Sequence, residues 1–138
     1  MKLERVTFWA VAASLFVVCS PVFPVGAHHG NSAYNEQSPI ILTGTVTEFV
    51  WSNPHSQIYM DVNDKGKVVH WSIETQSPGI LRRAGWTKNT LKPGEKITIT
   101  LAAARNGEPV GFSGAAYGKI VFADGRAMKM REQEPSQP

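Results

Sequence analysis

The chain has 138 residues, of which 18% are charged, a formal net charge of +3 and one cysteine. That length fits one domain with a modest core and excludes two ordinary ones. The small charge excess gives no strong pull toward nucleic acid or an anionic membrane, and one cysteine makes no internal disulfide. In chain order the first element is an export signal over residues 1–27. Lys2 and Arg5 form a positive start, residues 8–18 an apolar run, and Val25 and Ala27 stand at the minus-three and minus-one positions of a cut after Ala27. A retained membrane anchor fits less well: the apolar run falls short of the ~20 residues that span a bilayer, and Pro21 and Pro24 interrupt its end. Cys19 follows Val18, a poor match to the small residue that a lipobox places there.

Removal of the signal leaves 111 residues with 12 basic and 10 acidic side chains, and takes the cysteine away. The expected location is the periplasm or the medium, with no membrane contact after cleavage. Any metal site has to be built from imidazole, amine, carboxylate or carbonyl groups. Residues 28–38 are polar and contain Gly, Asn and Ser, which predicts an irregular N-terminal arm.

A domain is expected over residues 39–130. Residues 40–51 are rich in β-branched and aromatic side chains and predict a strand, which Asn53-Pro54 breaks. Residues 57–62 alternate apolar and polar side chains, and Asn63-Asp64-Lys65-Gly66 turns the chain into a third strand over residues 68–74. Ser77-Pro78-Gly79 has the form of a helix start, with Ser77 as N-cap and Pro78 at the first helical position; Gly85 ends this helix of about two turns. The turn Leu91-Lys92-Pro93-Gly94-Glu95 precedes a strand over residues 96–101. Further strands are expected over residues 114–122 and 127–130, divided at Asp124-Gly125, and the polar tail 131–138 is expected to be disordered. Five or six short strands with one short helix after the third fit a small all-β, OB-like barrel.

The segments A-H-H at 27–29, G-T-V at 44–46, W-S-N-P-H at 51–55, S-P-G-I-L-R-R-A-G-W at 77–86 and L-K-P-G-E at 91–95 occur together. In this combination the mature chain resembles a family of small exported bacterial proteins known mainly as a domain of unknown function. The resemblance implies export and a compact β fold; it implies no activity.

The histidines carry the candidate chemistry. His28 and His29 follow the proposed cut directly, so the mature chain would start with an amine beside an imidazole, a ready chelate for copper or a similar ion. His29 or His55 could supply a further nitrogen, and a cut one residue earlier leaves Ala27-His28-His29, also a copper ligand set. The competing reading is a solvated leader. His55 lies at a strand boundary, where binding residues concentrate, and a structural loop role weighs equally. His70, inside the third strand, reads as a packed or hydrogen-bonded histidine. Glu74 could accept the other N–H of a ligating histidine, or face solvent at a strand end.

A second reading uses Trp51, Tyr59, Trp71 and Trp86, with Tyr34, as a stacking platform for a small ligand or glycan, or as the face for a protein partner, with Arg82 and Arg83 near the helix for an anionic group. Against it, Trp51 and Trp71 can close the core, Trp86 can cover the helix, and two arginines fit a solvated helix face. No G-x-S-x-G, H-E-x-x-H or cysteine nucleophile is present in the mature chain, so no catalytic residue is assigned. The expected function is an exported, periplasmic metal-binding protein, with copper as the one candidate cofactor. A non-catalytic ligand module is the alternative, and a copper-dependent redox enzyme a third reading.

Overall fold

A computed structural model describes residues 33–131. The proposed signal, His28 and His29, and residues 132–138 of the tail lie outside the described residues. The architecture is a closed five-stranded barrel with two added strands and one short helix. The elements are β1 (Ile40–Val50), β2 (Gln57–Asp64), β3 (Lys67–Glu74), α1 (Pro78–Arg83), β4 (Lys96–Ala103), β5 (Val110–Phe112), β6 (Lys119–Phe122) and β7 (Ala127–Lys129). The sheet runs β1-β2-β3-β5-β4, and β1 pairs with β4 to close the ring. Every pairing in the ring is antiparallel except β3 with β5. This is the OB-like arrangement, with α1 in the connection after β3. β6 pairs with β4 further along the edge that β5 takes, and β7 follows it, which adds two strands to the five of the ring.

Local chemistry explains the elements. Ile58, Met60 and Val62 of β2 face inward, and Tyr59 does not, as period-two alternation requires. The β2–β3 turn consists of Lys65 and Gly66, both with positive φ, and the Asn63 Oδ1 accepts the Gly66 N–H at 2.8 Å. That is the turn geometry whose twist suits a tight hairpin. Ser77 caps α1 by accepting the Ile80 N–H, and Pro78 occupies the first turn. Leu81 from the helix joins Val46, Ile58, Ile73, Ile97, Ile99 and Leu101 in the core.

The sequence misplaced one region. A strand was expected over residues 114–122, but residues 115–117 form a turn in which Gly118 donates to the Gly114 carbonyl at 2.6 Å. The strand begins only at Lys119. The barrel is closed instead by β5, three residues with Gly at their centre, too short to show a period of two. Gly111 is required there because a Cβ would run into the Leu101 side chain and the Ala102 carbonyl. The described part of the arm is not a loose leader. Tyr34 bridges to Ala104, and the Asn35 N–H donates to the Ala103 carbonyl at 2.9 Å, so the arm lies along the end of β4.

Candidate functional site

The arm, the β1–β2 loop, the end of β3 and the β5–β6 turn meet around Phe112. His55 follows Asn53-Pro54, whose peptide is cis, and its ring centroid lies 6.3 Å from that of Phe112. Tyr34 stacks on the same phenyl ring at 5.9 Å. Glu74, the last residue of β3, places Oε1 2.6 Å from His55 Nδ1, with the two side chains 28% and 30% exposed. The histidine that Glu74 stands against is His55. A carboxylate standing against one nitrogen of an imidazole can orient the ring so that the other nitrogen meets a ligand.

Three residues of this cluster were not singled out in the sequence, Phe112, Glu36 and Tyr117. The Tyr117 hydroxyl donates to the Phe112 carbonyl at 3.1 Å. Its pKa is pushed up to about 12, first by burial and then by the nearby negative charge of Glu36. Burial, followed by the charge of Glu74, also raises the pKa of Tyr34. Glu36 Oε1 and Ser56 Oγ are buried and have no hydrogen-bond partner among the described residues. Nothing local in the sequence marks Glu36 or Tyr117, because their neighbours arrive from distant strands.

The other candidate residues are dispersed. Trp86 is 1% exposed and its indole N–H donates to the Lys129 carbonyl at 2.8 Å, so it is a core side chain with no ring face open to a ligand. Trp51 is half-buried, edge-on to Phe49 at 5.8 Å, with the Arg82 guanidinium 6.0 Å from its ring. Arg83 is exposed on the helix. Tyr59 and Trp71 line a separate groove on the β1–β2–β3 face. The tryptophans therefore form no single platform. His70 is hydrogen-bonded, as expected: its Nδ1 lies 2.6 Å from Asp61 Oδ1 on a side chain 82% exposed.

Among the described residues no three His, Cys, Asp or Glu side chains converge as a metal-holding group. No described helix is long and apolar enough to cross a membrane. A search of curated proteins finds no match. A family model matches residues 16–113, which takes in the arm and the barrel up to the end of β5. On that match the chain belongs to DUF6152, a family of unknown function.

Proposed function

We propose that this is an exported protein that binds a transition metal ion, copper first among them, at the mouth of the barrel where the arm enters. His55 would be one ligand, with Glu74 behind it, and His28 and His29 of the arm would supply the rest of the donor set. The observation that carries this reading is the 2.6 Å contact between His55 Nδ1 and Glu74 Oε1, the arrangement by which proteins orient a ligating imidazole.

Two features support it. Glu36 brings a second carboxylate into the cluster, its charge felt by the Tyr117 hydroxyl. Tyr34 packs on Phe112 beside His55, and His29 is five residues before Tyr34. At ~3.3–3.6 Å per extended residue, the chain keeps His29 within roughly 18 Å of Tyr34. The arm histidines are thus tethered close enough to reach His55. A site of nitrogen donors with carboxylates around it suits capture, storage or delivery of the ion, and no chemical turnover is required.

The test is native mass spectrometry of the untagged protein purified from the periplasm, with and without Cu(II). The expected result is a chain beginning at His28 that retains one copper. Replacing His28 and His29 with alanine should abolish that tight binding without unfolding the barrel. A different terminus with no retained metal, or affinity unchanged in the variant, would overturn the proposal.

A further inference from the structure

On the outer face of the barrel, away from the His55 cluster, β1, β2 and β3 form a shallow groove of about 480 Å³. It is lined by Thr47, Glu48, Tyr59, Asp61, His70 and Trp71, together with Met60 and Ser72. Its shape comes from an irregularity in β1: the pairing with β2 shifts between Val46 and Glu48, leaving Thr47 as the extra residue. A bulge of this kind bends the strand and re-aims side chains. Among the described residues Tyr59 is one of three large hydrophobic side chains left exposed.

The charge of the lining is the informative part. The chain as a whole carries 14 basic and 11 acidic residues. The groove collects two carboxylates, Glu48 and Asp61, and no Lys or Arg. Barrels of this topology use the β2–β3 face for oligonucleotides and oligosaccharides. A phosphate backbone would meet two carboxylates here and no Lys or Arg, which argues against the first of these. The exposed Tyr59 ring beside carboxylates suits an organic cation: a ring face attracts an ammonium group and the carboxylates accept its N–H bonds, whereas Trp71, opposite the buried Met60, packs against the core.

Spacing narrows the class. Glu48 is opposite Tyr59 in the register, and Asp61 lies two residues further along the same strand. Glu48 and Asp61 therefore stand on the same face, diagonal to each other across the bulge. Asp61 Oδ1 is held by His70, which fixes the position of that carboxylate. We propose that this groove is a binding site for a short linear diamine or polyamine, whose two ammonium groups meet Glu48 and Asp61 while the methylenes between them lie against Tyr59. This proposal is independent of the metal site.

The test is a two-dimensional NMR titration of the full mature chain, kept metal-free with a chelator, using putrescine and, as an uncharged control, the four-carbon diol. The expected result is saturable shifts confined to residues of β1, β2 and β3 around Tyr59, with none from the diol. Glu48→Gln combined with Asp61→Asn should weaken binding by about tenfold or more, and Glu48→Gln alone, which leaves the Asp61–His70 pair intact, should weaken it less. His55→Ala should leave it unchanged. Absence of saturation at millimolar diamine, shifts spread over the whole surface, or equal binding by the double variant would overturn the proposal. A neutral disaccharide that shifts these residues where putrescine does not would overturn it in favour of a saccharide site.

Discussion

A carboxylate that holds one nitrogen of an imidazole acts on whatever meets the other nitrogen. Replacing Glu74 with Gln should therefore lower Cu(II) affinity by about 10–100-fold, the usual cost of losing a carboxylate behind a ligating histidine. The urea midpoint should move less, because Gln keeps the size of Glu and both side chains are half-buried rather than enclosed. Competitive titration with a chelator measures the first effect and denaturation the second; a large loss of stability with unchanged affinity would make the pair structural. Tyr117 leads to a pH prediction. Its pKa is near 10 when unfolded and about 12 in the fold, so the folded state holds the proton more tightly. The stability this contributes is complete below pH 10 and is lost as the pH rises toward 12. Tyr117→Phe should flatten the alkaline fall, measured as the urea midpoint across that range. Glu74 was legible in the sequence because a carboxylate at a strand end is a natural support for a histidine. Glu36 and Tyr117 were not, because only the docking of the arm and the β5–β6 turn makes them neighbours.

Among the elements, β5 has the largest role for its size. It alone joins β3 to β4, through pairs such as Ser72 with Val110 and Ala102 with Phe112. Gly111→Ala should cost about 1–3 kcal/mol, as overpacking a tight site does, because the added methyl meets Leu101 and backbone. Ser77→Ala, which removes the cap of α1, should cost ~1 kcal/mol. Urea denaturation separates the two by size. The hairpin and the helix were readable because Lys65-Gly66 and Ser77-Pro78 act through their own backbone. β5 was not, because a three-residue strand is specified by what it closes and not by a pattern of its own. The turn after it was read as strand for a related reason: the apolar residues between Gly114 and Gly118 do not reveal that Gly118 must sit on the Gly114 carbonyl.

For the whole molecule, the barrel with one helix after the third strand could be inferred from the count and spacing of strands, and β6 and β7 were expected as strands, whereas their place as additions to a five-stranded ring could not be read. The proposed site joins this barrel to a chain end, so it should be sensitive to what precedes His28. A tag left at that end should lower metal affinity and leave the unfolding temperature of the barrel unchanged, as calorimetry and metal titration of the two forms would show. The pairing of β1 with β4 has one more consequence. The Thr43 and Thr98 hydroxyls, 2.8 Å apart, are 55 positions apart along the chain. A ring that must bring together such distant segments pays its loop entropy before its contacts reward it, and folds slowly compared with a helical bundle of the same size. For the exported protein proposed above, that delay is useful: until the fourth strand arrives there is no closed barrel, and a chain still unclosed can be threaded through a membrane channel.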